Sequence, residues 1–330
     1  MSRFYYSVFG PYIVQFIDFK NSLGYKYKRA GWALSMLDRM ALEKDAPRPV
    51  VTKELADQYC LKRPNETGKT RSNRVCILAQ FARFLNDLGL EPSNIPKCPP
   101  AKNRYTPYIF SQEQVQAIFK ASDGLFPSRN RNSSIYAVPA LVRLLYATGL
   151  RVGEAIALKH SDVDLHFKCL ILRETKNGED RIVPISDTLA KVCGEYVEYR
   201  NLVPSTKRAD RFFIKPDGSA ISVDNVYRWF RKILYKAGIP YGGRSMGPRL
   251  HDMRHTFSVH SLACMARSGS DLYCSLPVLS TYLGHKSLRG TNIYVRLTAE
   301  MYPDLIKKAS LVCAGVFPVT NTKKEDHETD

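Results

Sequence analysis

Two short phrases in the last third of the chain bring together side chains able to work on a phosphodiester. Residues 248–257 read Pro-Arg-Leu-His-Asp-Met-Arg-His-Thr-Phe, and residues 283–297 read Leu-Gly-His-Lys-Ser-Leu-Arg-Gly-Thr-Asn-Ile-Tyr-Val-Arg-Leu. His251 and Arg254 stand three apart, on one face if the first phrase is helical. Tyr294 follows His285 by nine residues, with polar and glycine residues between. A guanidinium holds phosphate oxygens, an imidazole moves protons or donates a hydrogen bond, and a phenol attacks phosphorus. Each residue alone has a bland reading: Arg254 as the ion-pair partner of Glu154 or Asp252, and His255 and His260 as structural histidines further along the helix. The chain has 19 tyrosines, and Tyr294 is singled out only by its distance from His285, with Tyr282 and Tyr302 as nearby controls.

Positioning such groups requires a folded scaffold, and the sequence supplies two. The first hundred residues read as helices. Ile13, Phe16, Ile17 and Leu23 sit near one face ahead of Gly24, and Arg29–Leu42 forms a second helix. Thr52 N-caps a third. The clearest runs from about Thr70 to Leu88, with Ile77, Leu78, Phe81, Leu85 and Leu88 at helical spacing and Gly89 as the stop. Lys69, Arg71 and Arg74 at its start are expected to meet phosphates. Five prolines between Pro92 and Pro107 mark an extended linker. Beyond it, Ser111-Gln-Glu-Gln114 is a capping box. Helices follow at about Ile135–Ala147, Asp187–Tyr199, Ser222–Ala237 and His251–Ala266, with short ones around His285 and Tyr294. Cys169–Arg173 and Arg181–Ile185 read as two strands around Lys176-Asn177-Gly178. The fold class is thus mainly α with a small antiparallel sheet (α+β). The expected domains are 1–95, a linker at 96–107, a second domain at 108–317 and a disordered tail at 318–330.

Charge points to the partner. The chain of 330 residues carries a formal +18. Up to Arg104 there are 18 Lys and Arg against nine Asp and Glu, and beyond it 31 against 22. Each part therefore carries +9, as suits a polyanion gripped from two sides. No run of about 18 apolar residues is present, the N-terminus lacks a signal-peptide core, and a cytoplasmic protein is expected. The eight cysteines are scattered without a Cys-x-x-Cys pair, which predicts buried, reduced thiols and no zinc site or disulfide framework. No acidic cluster reads as a metal site; turn chemistry accounts for Asp162 and Asp164.

With Arg151, Lys176, His251, Arg254, His285 and Tyr294 in that order, the chain resembles the tyrosine recombinases (phage integrase family). The phrases that carry the resemblance are Ala-Thr-Gly-Leu-Arg-Val-Gly-Glu at 147–154, Thr-Lys-Asn-Gly-Glu-Asp-Arg-Ile-Val-Pro-Ile at 175–185, His-Asp-Met-Arg-His-Thr-Phe at 251–257, Leu-Gly-His at 283–285, and Tyr294. It spans the whole second domain, and His160 departs from it, standing where family members often carry a Trp. The resemblance implies a SAM-like helical DNA-binding domain followed by a catalytic domain. It implies that Arg151 and Arg254 grip the non-bridging oxygens and that Tyr294 attacks to give a 3′-phosphotyrosine. Lys176 then protonates the leaving 5′-oxygen, with Lys168 as the alternative; His251 assists proton transfer and His285 hydrogen-bonds the phosphate. It also implies double-stranded DNA as partner, a homotetramer on synapsed DNA, a directionality factor as accessory, a nucleoid-associated location and no cofactor. A type IB topoisomerase-like relaxing enzyme and a catalytically idle DNA-binding accessory protein of a mobile element stand as alternatives.

Overall fold

The computed structural model describes residues 4–25, 27–100, 106–125, 134–173, 175, 178–243 and 247–304. The chain divides into two compact units, Met1–Tyr105 and Thr106–Asp330.

The first unit is four helices, α1 (Gly10–Ser22), α2 (Lys28–Glu43), α3 (Lys53–Cys60) and α4 (Gly68–Asp87). Thr52 caps α3 by accepting a hydrogen bond from the Leu55 amide, as its position ahead of an apolar run predicts. The apolar stripes meet in one core, where Ile13, Phe16, Leu37, Leu78, Phe81 and Leu85 are buried. Leu23 and Leu88, expected inside, lie past the helix ends at 55% and 41% exposure. Arg74 is corrected outright. It is 1% exposed, bonds Glu66 through Nε (2.9 Å) and Nη2 (2.8 Å), and donates to the carbonyls of Tyr59 and Leu61. An arginine so enclosed ties the α3–α4 connection together and does not meet a phosphate. The signal was hidden because its partner lies across a turn and off the helix. Arg71 donates to the Cys60 carbonyl (2.8 Å), and Lys69 is exposed.

In the second unit, α5 (Gln112–Asp123) opens on the expected capping box, Ser111 with Gln114. A short 3-10 turn at Ser134–Tyr136 leads into α6 (Val138–Thr148), apolar on nearly every face and the centre of the core. Then come α7 (Val152–Ala157), a sheet of β1 (Val163–Asp164), β2 (Cys169–Leu172) and β3 (Arg181–Pro184), α8 (Asp187–Asn201), α9 (Val223–Lys236), α10 (Asp252–Arg267), α11 (Leu272–Leu283) and α12 (Arg289–Met301). The sheet is antiparallel throughout in the order β1-β2-β3, with Leu170 opposite Val183. The short helices expected near His285 and Tyr294 are 12 and 13 residues long, and α11 carries Pro277 inside it.

Gly149 ends α6 at φ 61°, and a Cβ there would strike the Phe257 ring and lie 3.0 Å from Leu283 Cδ2. Only glycine fits the left-handed turn that aims α7 away from α6. The cysteine expectation is corrected as well. Among the described residues Cys193 is buried, Cys60, Cys76 and Cys169 are half-buried, and Cys98, Cys264 and Cys274 are exposed. The tail at 318–330 and all of the segment beyond Asp304 lie outside the described residues.

Candidate active site

Helix α10 is the platform. His251 precedes its first turn, and Arg254 is 2% exposed beneath it. Arg254 Nη1 donates to the Gly149 carbonyl (2.8 Å), and Nη2 to the Leu283 carbonyl (2.9 Å). One guanidinium thus pins the turn after α6 and the turn after α11, two backbone segments far apart in sequence. Nη2 also lies 2.9 Å from His285 Nε2. A guanidinium only donates, so Nε2 is the acceptor and the proton of the neutral ring sits on Nδ1. Nδ1 then donates to Thr291 Oγ1 at 2.8 Å, a buried hydroxyl on α12. Burial, followed by Arg254 and Arg151, pushes His285 down to about 4, consistent with that neutral tautomer. Burial, then Arg151, brings Arg254 down to about 10. It remains a cation at neutral pH, and Glu154 and Asp252 are not its bonded partners.

Tyr294 projects from α12 into the same pocket and is 2% exposed. Its ring stacks over His285 with centroids 6.4 Å apart. Its hydroxyl lies 3.1 Å from Nδ1 of His255. His255, a structural histidine by sequence alone, lies in the structure on the hydroxyl of the candidate nucleophile. Its four-residue spacing from His251 was the available signal, since that spacing puts both imidazoles on one helical face. Their rings meet edge-on at 4.9 Å, with His251 exposed at the surface end. Burial, then the charges of His251, Arg254 and His285, forces His255 down to about 3. His255 is therefore neutral across the physiological range. Tyr282, the nearby control, instead donates its hydroxyl to the Pro184 carbonyl (3.2 Å).

Arg151 is the N-cap of α7. Its Nη1 lies 2.7 Å from Glu154 Oε1, and its amide donates to Oε2 (3.1 Å). Burial raises the Glu154 carboxyl, but bonding to Arg181 and then to Arg151 outweighs this and leaves it below the ordinary range. The structure therefore gathers Arg151, His251, Arg254, His285 and Tyr294 around the ends of α6, α10 and α11 and one face of α12. Lys176 lies outside the described residues. Its alternative, Lys168, sits in the β1–β2 turn at φ 52° and pairs with Asp187 (2.6 Å). It is at the opposite end of β2 from the β2–β3 connection, roughly 13 Å away at the usual strand rise. Asp162 and Asp164 are occupied locally: Asp162 bonds Arg173 (2.9 Å) and the Lys159 amide, and Asp164 accepts from the amides of His166 and Phe167.

The mostly helical fold with its small antiparallel sheet, and this arginine, histidine and tyrosine cluster, define a tyrosine recombinase. The sequence model of the phage integrase family matches residues 109–301, and the chain belongs to that family. Among its relatives is y4rB, described as an integrase/recombinase, from Sinorhizobium fredii (strain NBRC 101917 / NGR234). It is 30% identical over 311 residues, covering 92% of this chain and 96% of that protein. The tyrosine recombinase XerA of Thermococcus kodakarensis (strain ATCC BAA-918 / JCM 12380 / KOD1) is 30% identical over 248 residues, covering 73% and 76%. In fold the chain is similar to the Tn1549 transposon integrase solved in complex with transposon right end DNA. The TM-score is 0.61 at 17% identity, over 90% of this chain and 100% of that one.

Proposed function

We propose that this protein is a site-specific recombinase of the integrase or transposase type, which cuts and rejoins duplex DNA through Tyr294. The observation that carries the reading is the stack at the end of α10. Tyr294 lies over His285, and His285 accepts from Arg254, so a nucleophile and a phosphate-binding guanidinium share one enclosed site, with the His285 ring between them. Arg151 and Arg254 grip the non-bridging oxygens of the scissile phosphate and stabilise the charge that grows at the pentacoordinate transition state. A phenol with an ordinary pKa of about 10 is a poor nucleophile at neutral pH, and cations at the phosphate favour its ionised form.

Attack by the Tyr294 oxygen forms the phosphotyrosine bond and breaks the bond to the 5′-oxygen, which takes a proton from Lys176. The phenolic proton leaves towards His251, since a ring held near the His255 value is too weak a base to keep it. Attack by a 5′-hydroxyl of the exchanged strand reverses both steps, so the bond energy is conserved and no nucleotide cofactor is consumed. Residues 1–95 form the DNA-binding domain, joined through 96–107 to the catalytic domain at 108–317, with Lys69 and Arg71 on phosphates. Synapsis of two duplexes needs four protomers, and a directionality factor chooses the outcome; the protein works on DNA in the cytoplasm, at the nucleoid.

The test is a duplex nicked near the cleavage site, so that the short fragment diffuses away and the covalent adduct accumulates. Wild type gives a slow-migrating adduct, Tyr294→Phe gives none, and Tyr282→Phe and Tyr302→Phe keep it. An adduct that survives Tyr294→Phe removes the assignment.

A further inference from the structure

Arg181 belongs to none of the roles assigned above, yet it touches two of the segments that build the site. It opens β3 with its side chain 13% exposed, and its Nη2 lies 3.0 Å from Glu154 Oε2. Its Nε donates to the Tyr282 carbonyl (3.2 Å), one turn before His285. The backbone at Gly284, φ 66°, runs so close that a Cβ there would lie 2.7 Å from Arg181 Nη1. Glycine at 284 leaves the room that the guanidinium occupies. Glu154 is shared: Oε1 faces Arg151, and Oε2 takes both Arg181 and the Arg151 amide.

The charges of this trio decide what Arg151 offers a phosphate. Glu154 and Arg151 alone cancel, and a neutral pair attracts an anion weakly. Adding Arg181 restores a net positive charge. The side chains of Glu154 and Arg151 are 8% and 24% exposed, so water screens this sum poorly. We propose that Arg181 is a positioning residue of the phosphate site: by neutralising Glu154 it keeps Arg151 a net cation towards the scissile phosphate. The proposal rests on the reading that Arg151 grips that phosphate.

The experiment compares two nicked duplexes, one with an ordinary phosphodiester at the cleavage site and one with a methylphosphonate, whose reacting group carries no charge. Single-turnover cleavage is measured for wild type, Arg181→Met, Arg181→Lys and the double variant Glu154→Gln/Arg181→Met. Arg181→Met slows cleavage of the phosphodiester by about 100-fold, the lower end of the range for losing one electrostatic contact at the transition state, and leaves the methylphosphonate rate near that of wild type. Arg181→Lys keeps the charge and most of the phosphodiester rate. Glu154→Gln, added to Arg181→Met, removes the uncompensated carboxylate and recovers most of the loss. If Arg181→Met slows both substrates equally, or Glu154→Gln restores nothing, Arg181 serves the fold alone and the proposal falls. Because both substrates meet the same protein sample, misfolding of a variant appears as the equal loss and not as the selective one. A wild type that forms no adduct on either substrate removes the underlying reading instead.

Discussion

Lowering the pH should loosen the second unit through His255 before carboxylates take part. The ring is held near 3 in the folded chain, against 6.5 ordinarily. The unfolded chain therefore takes up this proton first, and the associated stability is complete above about pH 6.5 and lost as pH falls towards 3. Between pH 7.5 and pH 5 the unfolded ring goes from mostly neutral to almost fully charged, while the folded ring stays neutral. Linkage then gives a loss of about 2 kcal/mol from this one side chain. The figure depends little on the folded value, which lies well below pH 5. His285, held down to about 4, acts in the same direction, but it is only half-buried and adds less. The assay is urea unfolding in a Trp32→Phe background, so that Trp229 reports the second unit alone. His255→Asn keeps a polar atom near the Tyr294 hydroxyl and removes the titration. Wild type should lose about 2 kcal/mol more than His255→Asn over that pH interval. Equal losses in the two proteins would refute the assignment of His255 as a ring kept neutral on Tyr294.

Gly149→Ala forces an alanine into the left-handed region at about 1–2 kcal/mol and adds a clash with Phe257; the urea midpoint should fall and the Arg254 contact shift, and an unchanged midpoint would contradict the geometry. Arg74→Met leaves Glu66 buried without its partner and should cost about 3–5 kcal/mol, with the salt dependence of DNA binding unmoved. Lys69→Ala should do the reverse, sparing stability while reducing the log–log salt slope by about 0.9. Lys176→Ala should cut ordinary DNA about 10²–10⁴-fold slower, yet approach wild type when sulfur replaces the bridging 5′-oxygen, because a thiolate leaves without a proton. Equal slowing on both substrates would mean that Lys176 is not the acid.

Local signals were legible and longer-range ones were not. Thr52 and the Ser111–Gln114 pair announced their helices because capping is a contact within three residues. The β2 and β3 segments stood out as apolar runs around a turn, whereas two-residue β1 exists only through its pairing with Cys169 and Leu170. Pro277 lies inside α11, a residue that ordinarily ends a helix, so that helix runs further than its sequence suggests. The cluster could be read because family spacing fixes the order of its members. What spacing cannot show is which partner each side chain finds. In sequence Arg74 is indistinguishable from Lys69 and Arg71, and only the fold brings Glu66 to it; His255 likewise meets Tyr294 across 39 residues of chain.

The bonds from Arg254 to the carbonyls of Gly149 and Leu283 bear on how an inactive form of this protein should be made. Replacing Arg254 removes a charge and also unfastens two turns, one leading to Arg151 and the other to His285. Such a variant confounds chemistry with architecture: failure to hold DNA would follow from either. Tyr294→Phe gives up a single hydroxyl and its contact with His255, and the guanidinium that staples the turns stays in place. For trapping an uncut complex with DNA, the tyrosine is the substitution that leaves the site's shape intact.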